Sequence, residues 1–253
     1  MLAIERHDAV AILRMEHGKA NAMDLELARG LVAKLAEIAA SGARALVLTG
    51  AGTIFSAGVD LYRVIDGGRE YLDEFVPALV RAIRELFTFP LPAVAAVNGH
   101  AIAGGAILAF ACDYRVLAAG PGRMGVPELL VGVPFPGLAL EVVRSVVPSH
   151  HLQEVVYTGR TYGVEEARSR GMAEEAVAPE ALLDRALEVA GQLAAIPPEA
   201  FQLTKRQLRR PALEHAAGAD PGVLEAWSSP ETREKIRQYL ARTIGKGRPS
   251  PAK

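Results

Sequence analysis

An α/β fold is the class this sequence predicts, and three observations carry it. Short apolar runs, ALVLTG at 45–50, PAVAAV at 92–97 and YRVLAA at 114–119, read as buried strands. Between them, apolar residues recur every three or four positions, the spacing of a helix with one face against a core. A chain of 253 residues that is 50% hydrophobic has enough apolar surface for a substantial interior.

LAIERHDAVAILRME alternates apolar and polar residues on either side of His7 and Asp8, which predicts a hairpin at the start of a sheet. Asp24 then stands before Leu25, Leu27, Leu31, Val32, Leu35 and Ile38 at helical spacing, an N-cap with Gly42 as the stop. The strand at 45–50 follows. Tyr71, Phe75, Leu79, Ile83 and Leu86 predict a second amphipathic helix that ends before Pro90. After the strand at 92–97 a helix begins near Gly104, and the strand at 114–119 closes the alternation, which persists to about residue 160. From Ser149 onward the strand signals stop, and helical patterns run over 151–158, 164–170, 180–195, 198–210 and 222–243. Pro197-Pro198 starts one of these helices. The expected division is an α/β core over 1–195 and a helical region over 196–253, whose last residues, GKGRPSPAK, read as a disordered tail.

Charge and composition exclude several function classes. A formal net charge of −1 gives no general attraction to nucleic acid or to an anionic membrane, and no apolar run approaches the roughly 18 to 20 residues needed to span a bilayer. The N-terminus carries acids and no long apolar segment, and the single cysteine, Cys112, excludes an internal disulfide, so a reducing cytoplasm is expected. Cys112 reads as core packing, His100 as a hydrogen-bonded residue beneath a loop and Asp113 as the holder of a helix-to-strand corner. His150 and His151, adjacent on a helix, point roughly 100 degrees apart and cannot share a metal. Gly50-Ala51-Gly52 lacks the Gly-Lys-Ser/Thr of a nucleotide loop.

The chemistry gathers around AVNGHAIAGGAILAFACDYRVLA. Two glycines, Gly104 and Gly105, sit where a helix starts, so unpaired backbone N–H groups face a gap with the positive end of the helix dipole behind them. Alone, such a turn fits a phosphate site, a capped loop or a site for a carbonyl oxygen that gains charge. A second loop of the same kind, Thr53 to Asp60, also follows a strand and precedes a helix, and the two can converge on one oxygen.

Phe55-Ser56-Ala57-Gly58-Val59-Asp60, Asn98-Gly99-His100-Ala101 with Ala103-Gly104-Gly105, Ala111-Cys112-Asp113-Tyr114-Arg115, and Gly125-Val126-Pro127-Glu128 resemble, in order and spacing, the motifs of the crotonase family, the enoyl-CoA hydratase and isomerase superfamily. The resemblance covers essentially the whole chain. It implies a spiral of strand-strand-helix turns, a homotrimer or dimer of trimers, and an acyl-CoA thioester whose carbonyl sits between the N–H groups of Ala57 and Gly104. No separate cofactor or metal is implied, because coenzyme A arrives as part of the substrate.

Which reaction is run depends on the acids. The family's hydratases hold water between two glutamates, one three residues beyond the oxyanion glycine and one after the proline of the last motif. The first position is Ile107 here and the second is Glu128. A hydratase delivers hydroxide and a proton to adjacent carbons, for which two carboxylates on one water are suited. One carboxylate is enough to take a proton from carbon 2 of a 3-enoyl thioester and return it at carbon 4. In this the chain resembles the family's Δ3,Δ2-enoyl-CoA isomerases, which are similar in pairing an apolar residue with one glutamate; the stretches around Leu203-Thr204-Lys205 and Trp227 to Leu240 resemble the end of mitochondrial-type isomerases.

Ile107 beside Glu128 should desolvate the carboxylate and raise its pKa. The resemblance also implies that coenzyme A passes over His17 to Met23, including Lys19, Ala20 and Ala22, and over Phe55, Ala57, Gly58, Asp60 and Leu61. Lys205, from a neighbouring subunit, is the next phosphate candidate; both lysines also read as ordinary solvated side chains. Gly105, Ile107 and Pro127 would line the substrate pocket, with its far wall from Ile65 to Phe87 and the C-terminal helices. Three readings remain: the isomerase, another acyl-CoA reaction of the family such as hydration, and a non-catalytic acyl-CoA-binding subunit. A serine protease of the related ClpP-like fold is excluded, since Ser56 precedes the oxyanion position and no motif places a His and Asp to activate it.

Overall fold

The computed structural model describes residues 1–217 and 222–243. The chain opens with β1 (Leu2–His7) and β2 (Val10–Met15), an antiparallel hairpin in which His7 pairs with Val10 and Asp8 takes the left-handed conformation of the tight turn, φ 52°. Helix α1 (Leu25–Ala40) is capped as its sequence dictates, the Asp24 carboxylate accepting from Leu27 N at 2.8 Å. Then follow β3 (Ala45–Gly50), β4 (Ile54–Ser56), α2 (Leu61–Phe87), β5 (Ala93–Val97), β6 (His100–Ile102), α3 (Gly104–Ala111), β7 (Tyr114–Ala118), β8 (Arg123–Gly125) and α4 (Glu128–Val131). Helices α5 (Gly137–Val146) and α6 (Ser149–Thr158), β9 (Thr161–Gly163), α7 (Val164–Ser169), β10 (Glu175–Val177), α8 (Leu182–Ala194), α9 (Pro198–Ala217), α10 (Gly222–Ser228) and α11 (Pro230–Thr243) complete it.

Two sheets result. The first has the order β1-β2-β3-β5-β7-β10, parallel from β2 onward; the second, β4-β6-β8-β9, is parallel through its first three strands. Each turn of the chain places one strand in the first sheet, one short strand in the second, and then a helix, the spiral of strand-strand-helix units the motifs implied. In the central strands alternate residues serve two cores: Leu46, Leu48, Ala95 and Val97 face the main interior with α1, α2 and α3, while Val47, Val94, Ala96 and Val116 face Ala186, Val189 and Ala190 of α8. Burial on both faces explains why these strands read as continuous apolar runs.

Three expectations need correction. Strands do not stop at Ser149: β9 and β10 each join a sheet edge, but at three residues apiece they carry no periodicity. The helix expected over 222–243 is two helices, because Pro230 starts a new one and the Ser229 hydroxyl accepts from Thr232 N at 3.1 Å as its cap. The second amphipathic helix is ten residues longer at its start than Tyr71, and Gly68, at φ 58°, breaks its helical geometry. The GKGRPSPAK tail lies outside the described residues.

Candidate active site

Because β4, β6 and β8 are parallel neighbours, their C-terminal ends lie on one edge of the second sheet, and the three strand-to-helix loops that follow lie side by side. Those loops carry Ala57-Gly58, Ala103-Gly104 and Pro127-Glu128, so residues separated by seventy positions in sequence meet at the carboxyl edge, where parallel sheets place ligands. The first two loops meet where Gly58 packs against Ile102 to Gly104. Gly58 has φ 84°, and a Cβ on it would lie 2.6 Å from the Ile102 carbonyl oxygen and 3.2 Å from Gly104 N. Ala103, at φ 52°, turns the chain sharply into α3, whose first-turn N–H groups have no intrahelical acceptor; that of Gly104 has no hydrogen bond among the described residues.

The Ala57 N–H differs from its expected freedom: it donates to the Ala20 carbonyl at 3.0 Å. That bond belongs to a seam joining residues 17–23 to the Ala57 loop. Met23 N donates to Gly58 O at 2.7 Å, and Asp60 N donates to Met23 O at 3.0 Å. Asn21, held at φ 47°, sends its side-chain amide to the carbonyls of Ile54 and Phe55 and accepts the Ser56 hydroxyl on its own carbonyl at 2.8 Å. The two segments implied to carry coenzyme A are therefore adjacent, with Lys19 exposed and Ala20 and Ala22 half-buried. Phe55 is buried, Asp60 caps α2 by accepting from Tyr62 and Arg63 N, and Leu61 faces the cavity described next.

A cavity of about 70 Å³ opens beneath the loops. Ala57, Gly104, Ile107, Pro127 and Glu128 all line it, while Gly105 lies packed behind, against Ser56. Leu79 and Ile83 of α2, Trp227 of α10 and Tyr239 of α11 supply its far wall. Glu128 is its one acid among the described residues, and no histidine, cysteine or lysine joins it. Glu128 is 6% exposed and its Oε2 has no hydrogen-bond partner among the described residues. Desolvation by these apolar walls pushes its pKa up to about 8.

Lys205 is not brought to this cavity. Its ammonium is buried and bonded to Asp113 Oδ2 at 2.7 Å and to the Leu91 carbonyl at 3.2 Å. Asp113 also accepts from Ala93 N and from Arg209, so it does hold the corner between α3 and β7. Cys112 is fully enclosed, its thiol pushed up to about 12 by burial, as suits a packing residue. His100 is half-buried in β6 and makes no side-chain hydrogen bond among the described residues, contrary to expectation.

The sequence profile of the enoyl-CoA hydratase/isomerase family matches residues 5–243. The chain belongs to this family. A carnitinyl-CoA dehydratase of Salmonella arizonae is 34% identical over 211 residues, 82% of this chain and 80% of that protein. The human mitochondrial Δ3,Δ2-enoyl-CoA isomerase superposes with a TM-score of 0.91 at 26% identity, covering 97% of this chain and 99% of the other. An enoyl-CoA hydratase of Mycobacterium marinum superposes with a TM-score of 0.81 at 29% identity, covering 89% and 98%. As a member of the enoyl-CoA hydratase/isomerase family, within the crotonase superfamily, the protein is an acyl-CoA enzyme.

Asn21, Trp227 and Tyr239 were not singled out as site residues by the sequence. An Asn between two alanines just before a helix cap is a residue type that tolerates the left-handed conformation, and that signal was available for Asn21. Trp227 and Tyr239 reach the cavity only through the packing of α10 and α11 on α2, which no local pattern reveals.

Proposed function

We propose that the enzyme moves the double bond of a 3-enoyl-CoA to position 2, with Glu128 as its single acid/base. The observation that carries this reading is the Glu128 carboxyl, the one acid among the described residues that line an apolar cavity, with Ile107 where a second acid would stand. In the forward step the carboxylate takes a proton from carbon 2. The electrons of that C–H bond form a dienolate whose negative charge rests on the thioester oxygen. Glu128 then returns the proton at carbon 4 as the new double bond forms between carbons 2 and 3. Nothing is added or lost overall, so one group that both accepts and donates near neutrality is sufficient, and a pKa of about 8 suits both halves.

The charge on oxygen would be met by the free Gly104 N–H at the start of α3 and by the Ala57 N–H, which exchanges its Ala20 acceptor for the substrate. Hydration would need a bound water with a second acceptor, and the wall at Ile107 offers none. Incubation with trans-3-hexenoyl-CoA and with crotonyl-CoA tests the reading. A chromatographically distinct 2-enoyl isomer, no hydrated crotonyl product, and loss of turnover by about 10² to 10⁴ in Glu128→Gln are expected. Hydration of crotonyl-CoA as the main activity would refute it.

A further inference from the structure

The cavity contains three polar side chains among the described residues, Glu128, Trp227 and Tyr239. The Trp227 indole N–H is committed, donating to the Pro134 carbonyl at 2.8 Å. The other two are not. Glu128 Oε2 is a buried acceptor without a donor, and the hydroxyl of half-buried Tyr239 has no partner among the described residues. Helix α11, which carries Tyr239, packs directly on α4, which carries Glu128. An uncommitted donor and an uncommitted acceptor thus share one small apolar space, where an unmet buried polar group is unfavourable.

We propose that Tyr239 is a positioning residue for Glu128: in the acyl-CoA complex its hydroxyl donates to Glu128 Oε2, fixing the carboxyl plane so that the other oxygen faces the carbon that exchanges the proton. The inference rests on the assignment of Glu128 as the acid/base. Filling the cavity with an acyl chain removes water as a competing partner for both groups, which strengthens the bond. The electrostatic surroundings agree. Burial, and after it the Glu128 charge, raises the Tyr239 pKa, so the hydroxyl keeps its proton and remains a donor. Among the described residues no other charged group lines the cavity: Arg63, Arg69 and Asp73 on α2, His150, His151 and Glu154 on α6, and Arg233, Lys235 and Arg237 on α11 all lie outside its lining. Glu128 is perturbed by desolvation and by its own backbone hydrogen bond alone.

The test is Tyr239→Phe, which removes one oxygen and keeps the ring. The Glu128 carboxyl is titrated by infrared difference spectroscopy against Glu128→Gln, with saturated butyryl-CoA bound so that no turnover intrudes. Loss of a hydrogen bond to the charged form should raise the midpoint by about one unit and lower kcat at pH 7 about tenfold, with KM within about twofold. An unchanged midpoint with unchanged kcat overturns the proposal. A shifted midpoint in a protein whose Glu128→Gln variant still turns over would support the Tyr239 contact while refuting Glu128 as the acid/base.

Discussion

Gly105 lies flush against Ser56: a Cβ on it would come within 2.3 Å of the Ser56 carbonyl oxygen and 2.8 Å of the Ser56 Cβ. Helix α3 can therefore approach β4 only because this position carries no side chain, and the separation of the two N–H-bearing loops depends on it. Gly105→Ala should push α3 away, costing about 1 to 3 kcal/mol in urea unfolding, with turnover falling more than tenfold in the protein that remains folded. An alanine variant of full stability and activity would show that the loops have slack.

Ala103 holds a left-handed φ of 52° immediately before the Gly104 N–H. Such a backbone costs about 1 to 3 kcal/mol for a residue with a Cβ, and glycine adopts it freely at an entropic cost of about 1 kcal/mol. Ala103→Gly should therefore leave stability unchanged or raise it by about 1 kcal/mol, read as a shift in the urea midpoint. A marked loss of stability would mean that the alanine methyl packs more than its backbone strains.

Glu128 has a folded pKa of about 8 against an ordinary value of 4.5. As a base it must be ionised, so kcat/KM should rise with pH through about 8 and level off above. Stability runs the opposite way. Below about 4.5 the carboxyl is protonated in both states and its contribution is fully present. Between about 4.5 and 8 the unfolded chain has lost a proton that the folded chain keeps, so the contribution declines by up to about 1.4 kcal/mol per pH unit. Chemical denaturation of wild type and Glu128→Gln from pH 5 to 9 should show the wild type losing ground to the variant as pH rises.

Asp113 neutralises two buried cations, Lys205 at 2.7 Å and Arg209 at 2.6 Å. Burial already pulls the Lys205 pKa down to about 8 despite that pairing. Asp113→Asn strands both cations and should cost about 3 to 5 kcal/mol, and adding Lys205→Met should recover part of the loss. Thermal unfolding of the single and double variants reads this directly. It also separates a structural ion cluster under α9 from a phosphate site, since neither change should alter KM for acyl-CoA in the protein that remains folded.

Ile107→Glu would place a second carboxylate in the same cavity as Glu128. Isomerisation should fall more than tenfold, because a like charge disfavours ionisation and the dry wall is lost, while hydration of crotonyl-CoA should rise above background. Product analysis by chromatography distinguishes the two outcomes.

Much of this architecture was legible from the sequence, for physical reasons that also mark where legibility ended. The runs at 45–50 and 92–97 announce themselves because both faces are buried, and Asp24 marks its helix because an N-cap is a local hydrogen bond. The second sheet was not visible as a sheet: Ile54–Ser56, His100–Ile102 and Arg123–Gly125 are three residues each, too short for alternation. Helix α5 was missed between Pro136 and Pro148, where its apolar face had no cap to frame it. At the site, Glu128 and Ile107 could be placed through motif order, whereas Tyr239 depends on how α11 packs against α4. The engagement of Ala57 N–H by Ala20 likewise arises from a seam between distant segments.

The most direct measurement of the central claim follows the proton itself. With trans-3-hexenoyl-CoA carrying deuterium at both carbon 2 positions, mass spectrometry of the product shows whether the label removed at carbon 2 reappears at carbon 4. A single carboxyl enclosed by apolar walls predicts that a substantial fraction of product keeps both deuterons, and that Glu128→Gln forms almost no product. Complete washout of one deuteron, together with turnover preserved in Glu128→Gln, would contradict a lone Glu128 shuttle.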